Sequence, residues 1–385
     1  MIPLSPIDLV FTGRGAYPLE FVFAYEGRMD AERLAGSLRR TLALFPPAGS
    51  RLVRCGAQYA FEPAADGLTF EVDTSAATFS ESVERQRFVD PVETVEGRPL
   101  ARVRLTHTPD GSVLGVGLSH AIADGFSYFY LLSAWSRVFR GRDVPPPALD
   151  RSVLAAGGSE AGAPLDPEGV REACGLFLGG RRPEIPRDRL RWTRRLFPKS
   201  ELSALLGPAQ AACPVRLSHN DVVAAWLWRE HVPAWAPASE ATAFLSCPVD
   251  VRRLLPGFPA TYFGCAVAMA RASIERERLE TAPLADLARL VRDAVAGVDE
   301  VTVRRSLRAI DLLRRQEGLP GLERLHVVHP RAGLLVTNLS RLPVREIEFD
   351  AGPPTAFDIL APAERCAVVL PAEDGLDVRV CLPVA

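Results

Sequence analysis

Between Ser112 and His120 the side chains sort with a period of two, which predicts a strand with two different faces. Leu114, Val116, Leu118 and His120 fall on one face, and Val113, Gly115, Gly117 and Ser119 on the other. The paired glycines leave room for a ligand or for close backbone packing. Arg102 to Thr108 reads as a partner strand, joined through the hairpin signal Pro109-Asp110-Gly111. Phe21 to Tyr25 is another strand-like run. From Asp30 the spacing becomes helical: Leu34, Leu38, Leu42 and Phe45 share one face, Asp30 suits an N-cap, and Pro46-Pro47 stops the helix. Phe126 to Phe139 is apolar all round and predicts a buried helix.

After Gly141 the pattern breaks. Pro145-Pro146-Pro147, Gly157-Gly158 and Gly179-Gly180 mark a long connection, with one short helix near Glu168 to Phe177. Ser218-His219-Asn220-Asp221 resembles a capping box opening a helix through Trp228. Strands are expected at Ala243 to Val249 and Tyr262 to Ala272, a charged helical stretch from Leu284 to Arg315, and strands and turns from Leu334 to Val384. The organisation read from this is an N-terminal domain at 1–142, a crossover linker at 143–189 and a C-terminal domain at 190–385. Strands and helices mix in both halves, so the class is α/β or α+β.

Composition alters this picture little. The chain has 385 residues, 48% hydrophobic and 24% charged, with a net charge of -2, which excludes a global nucleic-acid footprint. Lys199 is the only lysine among 45 basic residues, a bias of the kind a GC-rich genome imposes. The seven cysteines (Cys55, Cys174, Cys213, Cys247, Cys265, Cys366 and Cys381) are scattered and lack a C-x-x-C pair. Reduced thiols are expected rather than a disulfide framework or a zinc site. The first residues lack the basic start and apolar core of a signal peptide, and no apolar run reaches membrane-spanning length. A cytoplasmic protein with no membrane partner is expected.

Candidate chemistry concentrates at Ser119-His120-Ala121-Ile122-Ala123-Asp124-Gly125. A histidine at the end of an apolar strand face is partly desolvated, which keeps its imidazole neutral and fit to act as a base. The residues by themselves also allow a satisfied core histidine beside an Asp-Gly turn. Asp124 could orient the ring, or point away and need a cation. Gly125 would let the chain turn into the helix. His107, His219, His231, His326 and His329 show no H-E-x-x-H spacing, so no metal is expected. No G-x-S-x-G and no phosphate-cradling glycine loop occurs.

His120 to Ser127, followed by Ala134-Trp135, resembles the signature of the BAHD family of acyl-CoA-dependent acyltransferases. The match continues through Pro3-Leu4-Ser5-Pro6-Ile7-Asp8 and Ser37-Leu38 to Leu52. It resumes at Leu217 to Trp228, Val249-Asp250-Val251-Arg252, Tyr262-Phe263-Gly264 and Thr337 to Pro343. It covers nearly the whole chain in order. Departures are Glu348-Phe349-Asp350-Ala351-Gly352 for the family's D-F-G-W-G, Cys265 for the usual Asn, and Leu339 for the usual Trp. The short chain resembles a bacterial member. Ser119 replaces the second histidine usual in condensation domains of the same fold.

The resemblance implies two chloramphenicol-acetyltransferase-like domains, each a mixed sheet flanked by helices, with a channel between them. It implies an acyltransferase of specialised metabolism that takes its acyl group from acyl-CoA, with no permanent cofactor. The acceptor would be a hydroxyl or amine of a small molecule. His120 would be the base, with no acyl-enzyme. Asp124, Gly125, Arg252 and Glu348 would support the site, Arg252 pairing with Asp124 or with Glu348. Thr337 and Asn338 would serve the oxyanion or donor side, and Arg341 an acceptor carboxylate. A monomer is expected. The alternatives are a carrier-protein thioester as donor, and a non-catalytic relative that binds a thioester or partner.

Overall fold

The computed structural model describes residues 1–79, 88–157, 165–186, 189–360 and 363–383. Gly158, part of the expected linker and Val384 lie outside these residues.

The N-terminal half runs β1 (Ile2–Pro3), α1 (Pro6–Val10), β2 (Pro18–Glu26), α2 (Ala31–Leu44), β3 (Ser50–Cys55), β4 (Gln58–Pro63), β5 (Leu68–Thr74), β6 (Ala101–Thr108), β7 (Gly111–Ser119) and α3 (Gly125–Phe139). The connection carries α4 (Pro167–Cys174) and β8 (Phe177–Leu178). Then come β9 (Arg191–Phe197), α5 (Lys199–Ala211), α6 (His219–Trp235), β10 (Thr242–Asp250), β11 (Val267–Glu275), α7 (Arg276–Leu279), α8 (Leu284–Ala296) and α9 (Glu300–Leu322). The chain closes with β12 (Leu325–His326), β13 (Gly333–Asn338), β14 (Ala356–Ile359), β15 (Cys366–Ala372) and β16 (Gly375–Leu382).

Two sheets carry the architecture. The first has the order β14-β2-β7-β6-β5 and the second β11-β10-β13-β15-β16-β9. Both are mixed: β5 runs parallel to β6, and β13 parallel to both β10 and β15. The split expected at residue 190 is crossed in space, because β14 forms an edge of the first sheet, with Ile359 opposite Phe21. That strand covers the otherwise open edge of β2. One hydrophobic core also spans the halves: Phe21, Leu114 and Tyr128 belong to the same buried cluster as Val251, Phe263 and Leu307.

The caps form where the local sequence placed them. Asp30 accepts the Arg33 amide, and Ser218 and Asp221 close a reciprocal capping box. The stretch expected as one helix from Leu284 to Arg315 is two, since Asp299 and Thr302 cap a fresh start after Gly297. The strand expected from Tyr262 begins only at Val267, because the Cys265 and Ala266 amides turn to the buried carboxylates of Asp8 and Asp124.

The two strand glycines serve close packing. A Cβ on Gly115 would lie 1.7 Å from the Phe88 carbonyl oxygen, and one on Gly117 2.8 Å from Val92 Cγ2. Gly115→Ala should therefore destabilise the fold by at least ~1–3 kcal/mol, the usual cost of overpacking. Urea denaturation checks this; an unchanged midpoint would refute it.

Candidate active site

His120 stands one residue beyond β7, where the strand ends and the chain turns toward α3. The loop is held from both sides. Ser119 Oγ accepts the Ala121 amide at 3.1 Å and meets Thr94 Oγ at 2.7 Å. The Phe11 ring stacks on the imidazole, with centroids 4.1 Å apart and planes 11° apart. Burial of the ring lowers the His120 pKa below the ordinary 6.5, against opposing contributions from a hydrogen bond to its own carbonyl and from the Asp124 charge. The Nδ1 edge of the ring faces the Cys265 sulfur at 3.8 Å, and Nε2 is the other ring nitrogen.

Asp124 does not orient the imidazole. It is the N-cap of α3, accepting the Ser127 amide at 2.8 Å. Its two oxygens also receive Arg252 in a fork, at 2.7 and 3.0 Å, and the Ala266 amide at 2.9 Å. Both side chains are almost fully buried. Ser127 Oγ completes the knot, taking hydrogen bonds from Arg252 and the Gly264 amide and donating to the Gly264 carbonyl. Burial opposes the charge on Arg252, but Asp124 and Asp250 outweigh it and hold the guanidinium above its usual pKa.

Gly125 is the first helical residue, and its φ is not positive. The requirement there is space, since a Cβ would stand 3.3 Å from Leu339 Cδ2. The turn after β13 thus packs on the start of α3. Within that turn the Asn338 amide is engaged, donating to Asn220 Oδ1 at 2.7 Å and accepting from Ser340. Thr337 is half-buried in β13, and Arg341 is exposed. No hydrogen bond among the described residues joins any of the three to His120.

Glu348 lies elsewhere. It pairs with Arg140, and its backbone bonds Ser136, at the far end of α3. That is ~20 Å along the helix from Asp124 at 1.5 Å per residue. Phe349 beside it packs on Trp135 and Phe139. This segment anchors the helix C-terminus, so Arg252 pairs with Asp124 and not with Glu348.

Four contributors went unread as site residues. Asp8, in the N-terminal capping box, forms a buried pair with Arg151 at 2.9 Å and accepts the Cys265 amide at 3.4 Å. Cys265 Sγ lies 3.8 Å from His120 Nδ1. Phe11 is the stacking ring. A short motif can flag a titratable group; an ordinary Phe, Cys or Arg far along the chain carries no comparable signal.

Beside the loop, between the two halves, is a cavity of about 530 Å³ whose wall includes Tyr17, Pro18, Glu20, Thr94, His326 and Arg365. Pro18 pairs with Ser119 and Thr94 bonds it, so the cavity adjoins the residue before His120.

The family model described as "Transferase family" matches residues 3–385. The chain belongs to that family. It is 30% identical over 376 residues to Hydroxycinnamoyltransferase 2 of Oryza sativa subsp. japonica, covering 90% of this chain and 82% of the relative. It is 29% identical to the Hydroxycinnamoyl-CoA:5-hydroxyanthranilate N-hydroxycinnamoyltransferase HHT1 of Avena sativa, covering 84% and 77%. Its fold is similar to that of F. graminearum TRI101 complexed with Coenzyme A and deoxynivalenol, with a TM-score of 0.79 at 15% identity, covering 99% and 94%. The fold is thus the two-domain, chloramphenicol-acetyltransferase-like one. The protein is an acyltransferase that draws the acyl group from a CoA thioester and delivers it to a hydroxyl or amine of a small molecule. Among the described residues, no helix is long and apolar enough to cross a membrane.

Asp124→Asn removes the buried charge paired with Arg252 and leaves it only the half-exposed Asp250. The change should cost ~3–5 kcal/mol of stability and lower turnover with it. Chemical denaturation read beside initial rates checks this. A rate loss at unchanged stability would instead give Asp124 a direct chemical role.

Proposed function

We propose that His120 is the general base of the acyl transfer. The observation that carries this reading is its ring: partly exposed at the end of β7, stacked on Phe11, backed by Cys265 on its Nδ1 edge, and held by burial toward the neutral form. Nε2 takes the proton from the acceptor hydroxyl or amine as the nucleophile attacks the thioester carbonyl carbon. The tetrahedral oxyanion collapses, the C–S bond breaks, and the imidazolium returns its proton to the CoA thiolate. No acyl-enzyme forms, because holding both reactants together supplies much of the acceleration.

Asp124, Gly125 and Arg252 support this base by fixing the join between α3 and the 264–266 segment. Glu348 supports it at a distance, through the far end of α3. Thr337 is the better donor-side candidate of the C-terminal pair, since the Asn338 amide is occupied by Asn220 and Ser340. Arg341, exposed in the same turn, is the candidate for an acceptor carboxylate, a task suited to a guanidinium fork. The cavity beside Ser119 receives one of the two substrates.

Residues 1–142 and 190–385 are taken as the two catalytic halves and 143–189 as the crossover, with β14 returned to the first sheet. One chain supplies both Asp124 and Arg252, which fits action as a monomer. The near-absence of lysine fits a bacterial, cytoplasmic member acting on a specialised metabolite.

His120→Ala should keep the wild-type melting temperature and lower kcat by ~10²–10⁴-fold, the usual worth of a positioned base. The base must be neutral, and burial lowers its pKa. Wild-type kcat/KM should therefore hold through neutral pH and fall only below pH 6.5. Assay with a panel of acyl-CoAs and acceptors, with products read by mass spectrometry, checks both statements. Normal turnover by the variant would end the proposal.

A further inference from the structure

We propose that Cys265 is a positioning residue for the base: its sulfur closes the Nδ1 edge of His120 and so reserves Nε2 for the acceptor's proton. The proposal rests on the reading of His120 as the base. Its ground is geometric. Sγ lies 3.8 Å from Nδ1, and Cys265 is fully buried. The sulfur is placed by the backbone on both sides. The Cys265 amide donates to Asp8 Oδ1 at 3.4 Å, and the Ala266 amide to Asp124 Oδ2 at 2.9 Å. Each carboxylate is in turn held by a buried arginine, Arg151 or Arg252. Two ion pairs from different parts of the chain thus fix two successive residues beside the imidazole.

The chemistry of sulfur suits this place. A thiol is a weak acceptor and a weak donor. It makes no strong hydrogen bond to the ring, yet it occupies the Nδ1 edge. An asparagine, usual in the family at this position, would instead present a strong amide donor or acceptor to the same ring edge.

The charged groups facing this region are Asp8 with Arg151 and Asp124 with Arg252, two neutralising pairs. The Tyr262 phenol and the thiol itself are both held neutral by burial. Burial raises the pKa of the Asp8 carboxyl against the pull of Arg151 and lowers that of the ring, and the ring is the group that the sulfur touches. Removing the sulfur opens space at Nδ1. Water admitted there stabilises the imidazolium, so the ring's pKa rises and the acid limb of activity moves to higher pH.

The test compares wild type, Cys265→Ala and Cys265→Ser. For each, kcat/KM is followed against pH with one acyl-CoA and acceptor pair, kcat and KM are separated, and the melting temperature is measured. Cys265→Ala is expected to move the acid limb up by ~0.5–1 pH unit. KM for the acyl-CoA should change less than about twofold while kcat near pH 7 falls. Cys265→Ser, whose hydroxyl partly fills the space, should show a kcat between the two. If the alanine variant fails to fold, the serine variant carries the test through the position of its limb. A wild-type limb in the folded variants, or losses that track the melting temperature alone, would overturn the proposal. His120→Ala runs alongside. If it retains turnover, the base reading falls. If it is inactive and the Cys265 variants keep the wild-type limb, only the role of Cys265 falls.

Discussion

The buried pair between Asp124 and Arg252 is the constraint on which the site depends. One carboxylate caps a helix, accepts a forked guanidinium and receives the Ala266 amide. Taking two such charges out of water costs several kcal/mol per ion, so a pair of this kind adds little net stability over a well-packed apolar contact. Its effect is on specificity of arrangement. Asp124 lies four residues after His120, and Arg252 follows the strand β10 of the other sheet. The knot draws its partners from both halves, so it fixes how the two dock, and that docking presents His120 at the join.

The same logic recurs at Asp8 and Arg151, whose pair reaches the Cys265 amide from the N-terminal side. Arg151 belongs to the connection between the halves, a stretch whose composition reads as spacer. Together the two pairs hold Cys265 and Ala266 out of β11 and beside the imidazole. The loop that carries His120 leaves the end of β7, the central strand of its sheet, and Phe11, Arg252 and Cys265, each more than a hundred residues away, help to fix it. Loops carry function well when a scaffold fixes them in this way.

Drift in the second signature is explained by where it lies. Glu348 and Phe349 lock the C-terminal end of α3, through Arg140, Ser136 and the Trp135 and Phe139 rings. The carboxylate and the aromatic ring that make these contacts are retained. The glycine and tryptophan lost from the motif are not needed to hold this helix end. His120 and Asp124 lie at the opposite end of the same helix, so packing around Glu348 can change without moving them.

Local chemistry made much of this chain legible. The Asp30 and Ser218 caps, the β6–β7 hairpin, the buried helix α3 and the alternation leading to His120 all follow from neighbours in sequence, because period, capping and turn geometry act over a few residues. The ordered motifs likewise marked His120, Asp124 and Arg252. Three-dimensional contact was needed for the rest. The glycines of β7 are dictated by the Phe88 carbonyl, Gly125 by the Leu339 side chain, and Phe11 and Cys265 by the imidazole they touch. The edge strand β14 belongs to a sheet built more than two hundred residues earlier. Each of these is a match between surfaces distant along the chain, and no local period or propensity encodes which distant surface will arrive.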